Sequence, residues 1–173
     1  MLYFEDEMTY LRNLILLILV INLIGCVAMG DKFVELEEPE QGKAIVYVYH
    51  PKDDAYGANE ANFLFLDEKQ IFRFTHNGYS YFSLEPGTYN FNIRLSTFFV
   101  ATELVRDSVN LNVKAGETYY LRYYESHDRM ETWSNGVSAG AYQLTTANIE
   151  EVEKYQALPE LSSKRLLNHK MMR

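Results

Sequence analysis

Apolar and polar side chains alternate with a period of two through much of the chain after residue 42, the repeat of strands that cover a core on one face. In Thr88–Ser96 the odd-numbered side chains are apolar and the even-numbered ones polar, which predicts one core face and one solvent face. Ser108–Val113 repeats this pattern. Lys43–His50 is apolar on both faces, which predicts a central strand covered from both sides.

Turn signals separate further strand segments at short intervals. Asn77-Gly78 and Glu85-Pro86-Gly87 are sequences that form tight turns, and Asp67–Gln70 separates two short apolar runs. Seven or eight short strands at such spacing predict an all-β fold, either an antiparallel β-sandwich or a barrel, and we adopt the antiparallel β-sandwich. The remaining predicted strands are Asn62–Leu66, Ile71–Thr75, Tyr79–Leu84, a ragged Phe98–Arg106, Thr118–Glu125 and Ala141–Thr145.

Three regions lack a clear strand pattern. Residues 26–41 are acidic and aperiodic, which predicts a flexible linker before a sandwich domain at 42–147. Ser126–Gly140 predicts an irregular loop. Residues 148–173 predict a short helix over Ile149–Ala157, capped by Asn148 and ended by Pro159, followed by a loose basic tail.

The apolar run Leu14–Cys26 is typical of a signal peptide. Its length fits the apolar region of an export signal and is short of the roughly 20 residues that span a bilayer. It ends in Leu23, Ile24 and Gly25 before Cys26, the form of a lipobox in which the cysteine is acylated. Residues 1–25 are therefore expected to be a cleaved signal helix. The alternative is a single-pass membrane protein that keeps this helix.

The flanks of the run affect the start site and the destination. Residues 5–7 are acidic, whereas export signals begin with positive charge, so translation is expected to start at Met8. By the sorting rule of known lipoproteins, Val27 after the cysteine indicates the outer membrane of an envelope that has two membranes, with the domain facing the periplasm. The only cysteine in the chain is then consumed by acylation, and the domain holds together by packing without disulfides.

Composition excludes one class of partner and offers no catalytic motif. The net charge of −8 disfavours nucleic-acid binding, which needs a basic surface. The four histidines are scattered, each expected to be solvated or capping, and no nucleophile, phosphate loop or cofactor motif is found. An envelope hydrolase with a site in 126–140 remains the enzymatic alternative. The acidic loop with Asp53, Asp54, Asn59 and Glu60 fits no standard metal loop, so no metal is predicted.

Aromatic side chains are the best candidates for a binding site. Exposed rings can stack on a sugar or anchor a protein, so the expected partner is an envelope protein or glycan, besides the bilayer contacted through Cys26. Burial between sheets is the alternative, and it is favoured for the strand tyrosines. The candidate partner-binding residues are Trp133, Tyr56, Tyr79, Tyr120 and Tyr124.

Three motifs follow the lipobox in order: Gly42–Tyr49 (GKAIVYVY), Leu84–Gly87 (LEPG) and Ala115–Tyr120 (AGETYY). With them the chain resembles bacterial lipoproteins that carry the domain of unknown function 2846, from about Gly42 to Leu144. The resemblance implies a small, exported, membrane-tethered β-domain. It implies no established activity, cofactor or catalytic residue.

Overall fold

Two β-sheets enclose the core in the computed structural model, which describes residues 28, 30–51, 62–75, 77–97 and 100–167. One sheet has the strand order β8-β7-β1-β4-β9 and the other β3-β2-β5-β6, so the predicted sandwich is confirmed. The elements are β1 (Ala44–Tyr49), β2 (Phe63–Leu66), β3 (Lys69–Arg73), β4 (Gly78–Leu84), β5 (Gly87–Thr97), β6 (Val100–Val113), β7 (Thr118–Ser134), β8 (Ala139–Glu151), α1 (Lys154–Leu161) and β9 (Arg165–Leu166).

Strand pairing is antiparallel except at two places. β1 pairs in parallel with β7, and β4 pairs in parallel with β9. The first parallel pair arises because the chain passes through the other sheet between β4 and β7, so β7 returns in the direction of β1. The predicted antiparallel sandwich therefore contains two parallel strand pairs, which the sequence did not predict.

β1 lies at the centre of its sheet and is buried along its whole length, as predicted. Ala44, Val46 and Val48 join the core between the two sheets. The alternate side chains, from Ile45 to Tyr49, face a second apolar cluster on the outer surface of the five-stranded sheet. Both faces of this strand are covered, which explains why its sequence does not alternate.

The outer cluster is covered partly by residues that the sequence assigns to the linker. The ring of Phe33 packs edge to face on the rings of Tyr47 and Tyr79, with distances between ring centres of 5.4 Å and 5.2 Å. The backbone N–H of Leu36 donates to the Tyr47 hydroxyl at 2.9 Å. Ala28 is already in the core at 6 % exposure. The prediction of a flexible linker over 26–41 is therefore wrong for residues 31–36, which pack on the sheet.

The C-terminal helix begins later than predicted. Ile149 is 4 % exposed and pairs with Tyr123, so β8 keeps it in the sheet and continues to Glu151, past the predicted domain boundary at 147. The helix begins after Glu153, whose side chain forms a reciprocal capping box with Gln156, and it contains Pro159. Among the described residues, no helix is long and apolar enough to span a bilayer.

Two long strands replace segments predicted to be irregular. β7 and β8 extend through the predicted loop Ser126–Gly140 and leave only a tight turn between them. In that turn the Asn135 Oδ1 accepts the N–H groups of Val137 at 3.0 Å and Ser138 at 2.9 Å, and Gly136 has φ +83°. β6 likewise includes the predicted ragged segment from Val100 onward.

The predicted alternation of β5 is confirmed on its inner face, where Phe91 and Ile93 are fully buried. Its outer face differs from the prediction, because Asn92 and Arg94 are also buried there. The Arg94 guanidinium lies 4.1 Å from the centre of the Phe65 ring, so the aromatic ring covers a charge that was expected in solvent.

Candidate functional site

The outer halves of β7 and β8 project from the sandwich as a two-stranded ribbon, defined here as residues 126–146. The pairing of β7 with β1 stops at Arg122, opposite Tyr49. Beyond that point the described pairings of β7 are with β8, up to Ser134 opposite Ala139. Nine residues of β7, from Ser126 to Ser134, extend about 30 Å if straight.

Apolar side chains on the ribbon are exposed. Trp133 is 48 % exposed, Met130 66 % and Val137, in the turn, 95 %. The Trp133 ring lies across the neighbouring strand at Gly140, because a Cβ on that glycine would sit 2.9 Å from the indole Nε1. Alternation along β7 places Trp133 and Met130 on opposite faces, so both faces of the ribbon offer apolar surface.

A second hairpin adds to this surface. β6 connects to β7 by the short turn 114–117, so the beginning of β6 and the end of β7 lie at the same end of the sandwich. Val100 is 67 % exposed and Leu104 58 %. We call this end, with Val100, Leu104 and the ribbon residues 126–146, the ribbon end of the molecule. Its exposed apolar side chains are typical of an interaction surface.

A buried polar cluster lies where the ribbon leaves the sandwich. The Tyr123 hydroxyl donates to Glu125 Oε1, and the Asn62 side-chain amide lies 2.7 Å from both the hydroxyl and that carboxylate oxygen. All three residues are at most 5 % exposed. Burial first, and then the neighbouring Glu125 charge, raise the pKa of Tyr123. The hydroxyl therefore stays protonated and donates to the carboxylate.

Two cationic or titratable side chains border this cluster. Arg106 reaches Glu125 Oε1 at 4.0 Å. His50 is 8 % exposed, its ring packs edge to face on Tyr123, and its Nδ1 lies 2.8 Å from the Pro51 carbonyl oxygen. Of the two roles expected for this histidine, solvated or capping, the solvated one is wrong, because the ring is buried beside Tyr123. These contacts fix the base of the ribbon to β1 and β2.

Sequence analysis missed this cluster, although the alternation of β7 contains its signal. Tyr119, Leu121 and Tyr123 point inward, and Glu125 has the same parity. A carboxylate at an inward position predicts a buried partner, because an unpaired buried charge is strongly disfavoured. The partner Asn62 could not be identified from sequence, since it comes from a distant part of the chain.

Comparison with known proteins adds a family assignment to this geometry. Residues 40–153 match the family described as protein of unknown function (DUF2846). The chain belongs to the DUF2846 family. No curated protein and no solved structure gives a significant match. In this DUF2846 domain the matched residues include β1 to β8 and therefore the ribbon.

Two candidate tyrosines of the DUF2846 domain belong to the outer cluster. Tyr79 and Tyr120 are 4 % and 2 % exposed, so both are buried, but they lie in the outer cluster and not between the two sheets as the favoured alternative expected. The Tyr120 ring stacks on Tyr47 at 5.5 Å. Tyr124 is half-buried, with the Arg122 guanidinium 5.3 Å from its ring centre. Of the described candidates, Trp133 alone has an exposed ring.

Tyrosine–carboxylate hydrogen bonds attach the covering segments to the outer cluster. Tyr120 donates to Glu35 at 2.7 Å, and Lys154 pairs with the same carboxylate at 2.7 Å. Tyr49 donates to Glu160 of α1 at 2.6 Å. Burial is the main cause that raises the pKa of both tyrosines, followed by the carboxylate each contacts. These groups are therefore hydrogen-bond donors that hold residues 31–36 and α1 in place.

The other sequence-predicted residues lie outside the described part of the chain. They include Tyr56, the acidic loop with its four possible ligands, and the lipobox cysteine. Within the described ranges, no group of three or more histidine, cysteine, aspartate or glutamate side chains is placed to hold a metal ion. The outside residues are Leu23, Ile24, Gly25, Cys26, Asp53, Asp54, Tyr56, Asn59 and Glu60.

Proposed function

We propose that this chain is a non-catalytic envelope lipoprotein whose β-sandwich is held at a membrane, in the outer membrane facing the periplasm, by acylated Cys26 and binds a partner through its ribbon end. The lipobox supports the anchor, since the small Gly25 precedes the chain's one cysteine. The partner is an envelope protein or glycan.

The observation that carries the binding proposal is the exposed Trp133 on a ribbon that projects from the packed sheets. Exposure of a tryptophan side chain to water is unfavourable. Its burial against a partner contributes strongly to the free energy of binding. The polar cluster of Tyr123 and Glu125 at its base fixes the direction in which the ribbon leaves the domain.

The anchor is tested by following acylation in cells with a labelled fatty acid. The wild-type chain should incorporate label and sediment with membranes, and Cys26→Ser should lose the label and accumulate as precursor. Cys26→Ala is the matched second variant, because it also removes the thiol and should give the same result. Membrane attachment and mature size unchanged in both variants would contradict the anchor and favour the uncleaved helix.

The binding surface is tested by placing a photo-crosslinking amino acid at Trp133. The matched control position is Tyr155 of α1, an aromatic side chain that is 74 % exposed and lies outside the ribbon. A discrete crosslinked product from position 133, absent from position 155, is expected. Equal products from both positions, or none from position 133, would contradict a binding role for the ribbon end.

A further inference from the structure

The four outermost strands of the two sheets differ in charge. β3 contains Lys69 and Arg73, β6 contains charged residues in its central part, and β9 has two residues. In β8 the ten residues Ala139–Asn148 include no charge and no proline. Natural sheets protect long edges with charges, proline or short strands, because an unprotected edge pairs with another strand.

The direction of the β8 backbone groups follows from the hairpin turn. The Asn135 N–H donates to the Ser138 carbonyl, so these two residues face each other as a hydrogen-bonded pair. Alternation then turns Gly140 and Tyr142 toward β7, and the N–H and C=O groups of Ala139, Ala141 and Gln143 away from it. The outer edge of β8 therefore presents a regular series of donors and acceptors.

The inner part of the same edge has a side-chain cap. The backbone N–H of Ile149 has the outward parity, and it donates to Asp107 Oδ2 of β6 at 2.8 Å. This carboxylate accepts the hydrogen bond of an outward-facing N–H of β8 at the place where the two sheets meet. Among the described strands, β7 alone pairs with β8, so within the described part of the chain the edge available for pairing is the ribbon part of β8.

We propose that the β8 edge pairs antiparallel with β8 of a second copy of this chain, joining the two five-stranded sheets into one. Any antiparallel register of Ala139–Asn148 on itself brings no like charges opposite each other, whereas the charged β3 edge would do so in some registers. A twofold axis relates the strands, so each copy supplies the same surface. The proposal rests on the proposed function, since shared anchoring in one membrane raises the effective concentration of copies.

Single cysteines in β8 test the pairing in cells that make the full acylated chain. They replace Ala139, Ala141, Gln143 or Thr145 in turn, and Thr132→Cys on β7 is the matched control on the same ribbon. After mild oxidation, disulfide-linked dimer should peak at one β8 position, fall on either side of it, and exceed the control severalfold. No β8 position above the control would overturn the proposal.

Sedimentation equilibrium of the purified mature chain in density-matched detergent gives the second measurement. The wild-type chain is expected to dimerise. Ala141→Pro removes an outward N–H without breaking a bond to β7, and should raise the dimer Kd about tenfold or more. Ala141→Lys, beside the exposed Thr132, should act likewise through charge and needs no change in backbone. Ala141→Val keeps the N–H and should dimerise like wild type.

The outcomes separate this proposal from the proposed function. A monomeric wild-type chain refutes β8 pairing, and so does an Ala141→Lys variant that is folded by circular dichroism and dimerises like wild type. Neither result affects the acylation proposal, which is tested separately by incorporation of the labelled fatty acid. If the wild-type chain incorporates no labelled fatty acid, the lipoprotein proposal is refuted. Sedimentation equilibrium in detergent still measures whether the chain dimerises. A photo-crosslinked product from Trp133 with the mass of a heterologous protein and no dimer also counts against the second copy.

Discussion

The two halves of β7 have the same strand geometry and opposite surroundings. From Tyr119 to Tyr123 each residue pairs with β1, with β8 or with both, and the odd-numbered side chains are buried in the core. From Met130 to Ser134 it has the ribbon pairing with β8, and its side chains are largely exposed. Burial along this strand depends on neighbouring strands supplied by distant parts of the chain.

The comparison also separates stability from binding. The inner half contributes to the core and to the cluster around Glu125, whereas Trp133 in the outer half contributes little area to the packed sheets. A two-stranded ribbon alone is marginally stable in water, so its order depends on its base and on what it binds.

The largest difference is expected in hydrogen exchange of β7 amides, measured in dilute protein by mass spectrometry or NMR. Core amides such as Leu121 should exchange through global unfolding, and ribbon amides such as Glu131 through local opening. The gap should be several kcal/mol in opening free energy, about half or more of a typical global value of 5–15 kcal/mol. Equal protection along β7 would show that the ribbon belongs to the core unit.

Leu121→Ala should lower the free energy of unfolding by about 2–5 kcal/mol, because the side chain is fully buried and leaves a cavity. Thr132→Ala, the control in the exposed half of the same strand, should change it by less than about 0.5 kcal/mol. Urea unfolding followed by circular dichroism measures both. Similar losses from the two variants would refute the division of β7.

Tyr123→Phe should cost about 1–3 kcal/mol, since it leaves the buried Glu125 and Asn62 groups without the hydroxyl that joins them. The matched control is Tyr155→Phe, whose ring is exposed and which should be neutral. The same urea titration reports the difference. A neutral Tyr123→Phe would mean that the cluster does not stabilise the base of the ribbon.

Glu35→Gln tests the attachment of the N-terminal segment through pH. The hydrogen bond from Lys154, with a further one from Tyr120, lowers the Glu35 pKa from its ordinary value of 4.5 despite the opposing effect of burial. A lowered carboxyl pKa stabilises the fold above that ordinary value, and the gain is lost as pH falls through the folded-state pKa.

Wild type should therefore exceed Glu35→Gln in stability by about 0.5 kcal/mol at pH 7, because the pair is partly exposed, and the difference should vanish in acid. Glu38→Gln, at an exposed position in the same segment, is the control. Thermal unfolding at a series of pH values measures the effect. A difference that persists unchanged at low pH would contradict the ion-pair explanation.

Trp133→Ala should change the free energy of unfolding least, by less than about 0.5 kcal/mol. It should nevertheless reduce crosslinking from a photoreactive amino acid at Val137, which is exposed in the adjacent turn. Urea unfolding and the crosslinking yield are measured on the same variant. A large stability loss with unchanged crosslinking would assign Trp133 to structure.

The local features of this fold could be predicted from sequence where one strand contains its own signal. The two apolar faces of β1 correctly predict a central strand, and Asn77 has the positive φ of 60° that its turn requires. The fold class follows from the strand count and turn spacing. The ribbon was missed because glycine, serine and asparagine are frequent in loops, although here the turn at Asn135 organises them.

Features that depend on distant contacts could not be predicted. The sequence around Glu35 is acidic and aperiodic, and only the hydroxyl of Tyr120 and the amine of Lys154 explain its fixed position. Asn148 has the chemistry of a helix cap, but the next residue, Ile149, is buried in the core and belongs to β8. Trp133 was one of five candidate binding residues, and the sequence alone favoured neither exposure nor burial for its ring. The edge strand beside it could not be predicted.

The burial of Ala28 has a mechanical consequence. One residue, Val27, lies between it and Cys26, so the two Cα atoms are at most about 7 Å apart even in a fully extended chain. Acyl chains on that sulfur would hold the sandwich close to the lipid headgroups with little freedom to swivel. Each copy would then meet its neighbours by sliding in two dimensions with its ribbon end held in a restricted orientation.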